Sequence, residues 1–242
     1  MSWVITGAEK TPVDLYRSNV SLLLHGNADG SGNILDSSPS PKTVSKFGNA
    51  ASATPPSYPN SNSAFGNAIA LDGNGDYLTV PYAQDWNLAA DNFTIEAWIR
   101  TSDTSTAYPS FVGRWQGATA ANWDFRHRSI DVGNVVVFVY SLNGTSPVVV
   151  QTNVSVTDGE WHHVAACRSG SNLRLFVDGI VSATASIGNS VIFNNISVPL
   201  YVGYDPYGAS YFNGYIDDLR ITKGVARYTS NFTPPTAPFP DI

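Results

Sequence analysis

Two groups of residues in this 242-residue chain have types and spacings suited to chemistry. The first is a carboxylate, Asp217, in the run Tyr215-Ile-Asp-Asp-Leu-Arg-Ile221. That run reads as a strand, and strand side chains alternate between faces. Asp217 is therefore expected to point the same way as Leu219 and Ile221, into a core. A buried carboxylate is costly unless it is paired, hydrogen-bonded or metal-bound, so Asp217 needs a partner: a Ca²⁺ ion or a set of backbone N–H groups. Upstream, the loop Asp29-Gly-Ser-Gly-Asn33 leads to Asp36, and its oxygen-rich make-up suits a hard cation. The flanking helices and closing Glu of an EF-hand are missing. Asp72 and Asp76 are further carboxylates, but the intervening Gly-Asn-Gly explains them as hairpin-turn residues.

The second group is a pair of aromatic segments, Trp115-Gln-Gly-Ala-Thr-Ala-Ala-Asn-Trp123 and Tyr204-Asp-Pro-Tyr-Gly-Ala-Ser-Tyr211. Sugars bind by stacking on rigid aromatic faces while planar polar side chains fix the hydroxyls. Trp115, Gln116, Asn122 and Trp123 from one segment, and Asp205, Tyr207 and Tyr211 from the other, are the candidate ligand-binding residues. The same aromatics would equally serve to cover a sheet or to pack in a subunit interface. Trp123, Phe125 and His127 share one strand face, which is either core or groove.

Other chemistries find little support. His162 and His163 are adjacent, so on a strand they face opposite ways and cannot share one zinc ion. Glycoside hydrolysis needs two carboxylates across the scissile bond; the glutamates are Glu9, Glu96 and Glu160, each in a different segment. Glu96 shares a face with Trp98 and Arg100, which suggests a structural role, as a Glu96–Arg100 pair or through a hydrogen bond. No nucleophile elbow is present. The lone Cys167, in Val164-Ala-Ala-Cys167, reads as a small buried hydrophobe and excludes an intrachain disulfide.

The elements that must position these residues are short β-runs separated by turns. They cover Val20–His25, Ala68–Leu71, Asp76–Val80, Phe93–Thr101, Phe111–Trp115, Trp123–Arg128, Val135–Leu142, Val148–Thr152, His162–Arg168, Leu173–Val177, Ile180–Ala185, Leu200–Tyr204 and Tyr211–Thr222. No helix beyond a turn at Gly224–Tyr228 is expected, and residues 48–64 read as loop. This pattern predicts an all-β, antiparallel two-sheet sandwich of jelly-roll type. Residues 1–19 form an arm, 20–232 the domain, and 233–242 an extended Pro-rich tail. Arm and tail are candidate attachment segments, since extended chain can add to a partner's sheet edge. Charged residues are only 13% and the net charge is −6, which argues against nucleic acid and anionic membranes as partners. Neither a signal peptide nor an apolar membrane span is visible. The arm has no heptad pattern to predict a coiled-coil trimer.

Five segments carry a family resemblance in addition to the closing run "GYIDDLRITKGVARY". They are "SLLLHGNADGSGNILDSS", "AFGNAIALDGNGDYLTVP", "FTIEAWIRT", "GEWHHVAACRSGSNLRLFVDG" and "RYTSNFTPPTAPF". In this order, over roughly residues 20–238, they resemble a laminin-G-like jelly roll of the concanavalin A-like lectin/glucanase superfamily, most of all the versions carried in bacteriophage structural proteins. The resemblance implies the same fold. It implies one structural Ca²⁺ near the first and last strands, with Asp36 and Asp217 as the matching ligands, and Trp161 with one neighbouring His packed near the sheet. The Glu-x-Asp-x-x-Glu pattern of the laminarinase-type members is absent, which implies a non-enzymatic module. That module would be a glycan-binding adhesion domain of a phage tail fibre, or else a capsid-decoration subunit making protein contacts. Its partners would be host-surface glycans or other virion proteins, with homo-oligomers compatible, at the virion surface outside the cell.

Overall fold

The computed structural model describes residues 13–117, 120–129, 133–194 and 198–241. The first twelve residues of the expected arm, and residues 118–119 of the first aromatic segment, lie outside the described residues. The strands are β1 (Val20–Leu24), β2 (Ser45–Phe47), β3 (Ala51–Ala53), β4 (Ala68–Asp72), β5 (Tyr77–Val80), β6 (Phe93–Arg100), β7 (Ser110–Trp115), β8 (Ala121–Arg128) and β9 (Val135–Ser141). They continue with β10 (Pro147–Ser155), β11 (Trp161–Ser169), β12 (Asn172–Val177), β13 (Ile180–Ser186), β14 (Leu200–Val202), β15 (Tyr204–Asp205), β16 (Ser210–Tyr211) and β17 (Asn213–Lys223). One sheet runs β13-β12-β11-β6-β17-β4-β3, with β1 also paired to β17. The other runs β10-β9-β8-β7-β14-β5-β2, and β15-β16 form a small separate ribbon. Every pairing is antiparallel, so the architecture is the all-β, two-sheet jelly-roll sandwich that the strand pattern predicts.

The alternation of apolar residues builds the layer between the sheets. Phe93, Ile95, Ala97 and Ile99 of β6 face Trp123 and Phe125 of β8 and Val136, Phe138 and Tyr140 of β9 within one buried cluster. Burial of such large apolar side chains, each worth roughly 1.5–3 kcal/mol, is what holds the two sheets together. The outer face of the eight-stranded sheet is covered as well. Ala165, Cys167 and Phe176 pack there under Tyr228 and Phe232 of the C-terminal segment, whose rings stack 3.5 Å apart.

The closing strand departs from simple alternation. Asp217 sits opposite Trp98 of β6, while Arg220 sits opposite Glu96, so Asp218 and Leu219 together face a single residue. This is a β-bulge, and Asp218 takes φ +45° to make it. Leu219 and Ile221 therefore join the core, whereas Asp217 shares the outer face with Trp98. The expectation that all three point one way is corrected by that one inserted residue. The three-residue strand β3 forms within residues 48–64, which the sequence offers as loop, and the equally short β2 forms just before them.

The segments before and after the domain are packed against it. Asp14 of the arm binds Arg220 and Arg227. In the tail, Phe239 is buried against the Arg220 guanidinium, and its N–H donates to Asp218 Oδ2 at 2.7 Å.

Candidate functional site

The outer face of the seven-stranded sheet carries a groove of about 250 Å³, lined in part by Tyr108, Trp115, Arg126, Arg128, Asp205 and Tyr207. A smaller recess of about 100 Å³ shares Trp115 and Tyr207 and reaches Gly117 and Thr145. Each wall follows from local structure. Trp115 ends β7 on the face opposite the core, packed on Ala121, Val135, Val137 and Val139. Tyr207 sits in the loop between β15 and β16, where its N–H donates to Asp205 Oδ1 at 2.9 Å. Tyr207 is 65% exposed. Gly117 takes φ +93°, and a Cβ there would lie 2.5 Å from the Tyr207 ring; only glycine lets the two aromatic segments meet this closely.

The floor is ionic. Arg126 Nη1 lies 3.1 Å from Asp205 Oδ2 and 3.3 Å from Asp124 Oδ2, and the Arg126 guanidinium lies 4.7 Å from the Tyr108 ring centroid. Arg128 lies 5.8 Å from the same ring. Ser110 Oγ donates to Asp124 Oδ1. Burial pushes the Asp124 carboxyl up to about 7; Arg126 opposes this and Asp205 adds to it. Burial also raises the Asp205 carboxyl, again against the pull of Arg126. Two buried acids thus share one guanidinium, and near neutrality the pair retains a proton. Arg126 Nε is buried without a hydrogen-bond partner among the described residues.

The seven residues expected to bind ligand fall into three groups. Trp115, Asp205 and Tyr207 come together at the groove. Gln116 and Tyr211 lie beside it, on an aromatic ladder along the same face. Gln116 Nε2 donates to Tyr201 Oη at 2.7 Å, and Tyr211 stacks on Tyr204 at 4.5 Å, which stacks on Tyr77 at 4.8 Å. Asn122 and Trp123 are structural. Asn122 is buried and donates to the carbonyls of Arg114 and Ala120. Trp123 is in the inter-sheet core, its indole N–H on the Trp86 carbonyl at 3.0 Å. The Trp123 face is therefore core, not groove, because β8 turns its odd residues inward.

The two expected metal ligands are held in separate sets of contacts. Asp36 accepts the N–H groups of Leu23, Ser38 and Lys42 and the Ser38 hydroxyl. Four donors occupy its lone pairs, which leaves none for a cation. Asp217 Oδ1 accepts the Asp218 N–H at 2.8 Å, and Oδ2 has no hydrogen-bond partner among the described residues. Burial, with Asp218 adding to it, pushes this carboxyl up to about 9, so it is protonated at neutral pH. Asp36 and Asp217 as arranged here do not fit a shared Ca²⁺ shell. Among the described residues no group of three or more His, Cys, Asp or Glu is placed to hold a metal. Asp72 and Asp76 accept N–H groups of their own turn and of Asn49.

The histidines and Glu96 are structural as well. His163 is buried edge-on to Trp98 at 5.2 Å. His162 binds Asp178 and Asp158, and Trp161 Nε1 donates to the Ser57 carbonyl. Glu96 pairs with Arg220 rather than Arg100, at 2.8 and 3.0 Å, because the bulge brings Arg220 opposite it. Cys167 is fully buried, and burial pushes its thiol up to about 12.

Tyr108, Arg126 and Arg128 are groove residues that the sequence reading left out. A signal for the two arginines was present: the alternation that groups Trp123, Phe125 and His127 on one face must place Asp124, Arg126 and Arg128 on the other.

Residues 72–227 match the Laminin_G_3 family profile, described as concanavalin A-like lectin/glucanases superfamily. Among curated proteins none matches the sequence. Solved structures do match. The binding domain of Paraclostridial Mosquitocidal Protein 1 superposes with a TM-score of 0.65 at 14% identity, over 88% of this chain and 50% of that one. The binding domain of botulinum neurotoxin DC, in complex with SialylT, gives 0.58 at 15% identity, over 93% and 49%. Domain 4 of AbnA, a GH43 extracellular arabinanase from Geobacillus stearothermophilus, in complex with arabinotriose, gives 0.58 at 17% identity, over 86% and 94%. This chain spans about half the length of the toxin binding domains it matches. At these identities the structural likeness concerns the fold alone. With its profile match extending over more than half its length, the chain belongs to the concanavalin A-like lectin/glucanase superfamily.

Proposed function

We propose that this chain is a non-enzymatic glycan-binding module whose sugar site is the groove on the outer face of the seven-stranded sheet. The observation that carries the reading is the convergence of Trp115 and Tyr207, from segments far apart in sequence, over a floor with a buried, partly unpaired guanidinium. Tyr207 supplies an exposed stacking face over the largely buried Trp115, and Arg126, Arg128 and Asp205 supply directional hydrogen bonds. Two of the structural relatives were solved with saccharide ligands, SialylT and arabinotriose, which supports the same class of ligand here. Binding is favoured over hydrolysis because Asp205 is the one carboxylate among the described residues lining the groove, and Arg126 engages both it and Asp124.

The setting we propose is the outer surface of a phage particle, as an adhesion domain of a tail fibre or other appendage holding host-surface glycans. What supports it is the resemblance of the closing strand and the five further segments to phage-borne versions of this fold. A second reading, a decoration subunit that contacts other virion proteins, is favoured by the ladder of Phe47, Tyr77, Tyr204 and Tyr211. Phe47 stacks on Tyr77 at 4.5 Å and is exposed, as an interface aromatic would be.

A glycan-array screen in Ca²⁺ and again in EDTA tests the first reading. We expect binding that survives EDTA and weakens about tenfold or more in Tyr207→Ala, a change of roughly 1.4 kcal/mol. A folded protein that binds no glycan, or binding indifferent to both Trp115→Ala and Tyr207→Ala, would overturn it.

A further inference from the structure

A larger recess, about 470 Å³, opens on the other side of the sandwich, at the edge of the eight-stranded sheet's outer face. Its volume lies within the roughly 300–1,000 Å³ of small-molecule sites. Trp98 from β6, Trp161 from the start of β11 and Tyr58 from the loop before β4 give it aromatic walls. Pro234 closes one side, fixed by the Asn60 side chain, which donates to the Pro235 carbonyl at 2.7 Å. Glu160 and Asp178 stand at the rim, both exposed.

Three observations bear on the occupant. Trp98 is 97% buried, yet its indole N–H has no hydrogen-bond partner among the described residues, nor has the Ser57 hydroxyl, also on the lining. A buried donor without an acceptor is unfavourable by about 1–3 kcal/mol, so it marks a place for a ligand oxygen. The lining carries two carboxylates and neither Lys nor Arg; Asp178 is paired with His162 and accepts the His163 N–H, so Glu160 is the charge that disfavours an anion. An organic cation would suit the aromatic walls and the carboxylates, but an ammonium group only donates and would leave the Trp98 N–H unpaired. A neutral sugar ring satisfies all three: its hydroxyl oxygens accept from Trp98 and Ser57, its hydroxyl protons go to Glu160 and Asp178, and its C–H face lies on an aromatic ring.

We propose that this recess is a second saccharide site, selective for uncharged sugars, on the face opposite the groove. It uses none of the groove's residues, so each site stands or falls by itself. One chain would then hold two glycans back to back.

The test is an NMR titration of the six tryptophan indole N–H signals with uncharged trisaccharides of glucose, mannose, galactose and arabinose. Sialyllactose and choline serve as charged comparators. We expect at least one uncharged trisaccharide to shift the Trp98 and Trp161 signals saturably, also in Trp115→Ala, where the groove is disabled. Glu160→Lys, on an exposed residue, should weaken this binding about tenfold without unfolding the chain, and Trp161→Ala should abolish it. If Trp161→Ala does not fold, Glu160→Lys decides. No shift at Trp98 with any uncharged sugar at millimolar concentrations would overturn the proposal. So would preferential binding of choline or sialyllactose, or unchanged affinity in Glu160→Lys.

Discussion

Glu96 and Asp124 are both fully buried carboxylates on outer sheet faces, yet they titrate at opposite ends of the acid range. Burial pushes Glu96 up, but Arg220 first, then His163 and Arg227, hold it at about 2. Burial pushes Asp124 to about 7, because its one guanidinium is shared with Asp205. Around Glu96, two arginines face two acids, since Asp14 shares Arg220 and Arg227. Around Asp124, one arginine faces two. Asp217, with no cation in its described contacts and Asp218 beside it, reaches about 9. Depth alone does not set protonation; the local ratio of guanidinium to carboxylate does. The balanced cluster sits under the tail, where it ties segments together, and the unbalanced one lies beneath the open groove.

The largest effect that would break this contrast is expected from Glu96→Ala. It leaves Arg220 and Arg227 to share Asp14 alone in a buried site and should lower stability by about 3 kcal/mol in urea unfolding; a loss like that of an exposed ion pair would mean the cluster is solvated.

Asp124→Asn comes next, through pH. The folded Asp124 value lies above the ordinary 3.8, so its contribution is full below 3.8 and is lost as pH rises through about 7. Glu96 runs the other way, contributing above its ordinary 4.5 and losing that as pH falls toward about 2. These two groups together place a stability maximum near pH 4–5, and Asp124→Asn should flatten the decline above it in a series of unfolding curves. An unchanged slope would remove Asp124 as its source.

A gentler probe is Asp205→Asn, which leaves Arg126 to one acid. The Asp124 midpoint, read from its side-chain carboxyl carbon by NMR, should then move down. A midpoint still near 7 would assign the shift to burial alone.

The smallest effect is expected for Asp217→Asn at neutral pH. The acid is already protonated and Oδ1 keeps its acceptor role, so the change should stay within about 0.5 kcal/mol. A large loss would mean that Asp217 is ionised and partnered.

The contrast also separates what a sequence discloses from what it hides. Alternation in Phe93–Ile99 and Trp123–His127 reveals the two inner faces, because a sheet with one buried side has a two-residue period. The bulge in β17 is hidden: Asp tolerates φ > 0 better than most residues, but nothing in Asp217-Asp218-Leu219 marks two residues against one. The edge strands β2 and β3 are too short for a pattern and take their form from neighbours. At the site, Trp115 and Tyr207 are recognisable as aromatics in loops, but their meeting over Gly117 depends on tertiary packing. Trp98 and Tyr58, joined by the loop before β4 folding back on the sheet, had no sequence signal at all.

Arg220 has one more consequence. Its guanidinium touches Asp14 near one end of the described chain and Phe239 near the other. The segments around Asp14 and Phe239 therefore lie side by side, on the face turned away from the groove. One guanidinium thus pins two segments far apart in sequence, so a pull on either is resisted at the same point, on the side away from Trp115 and Tyr207.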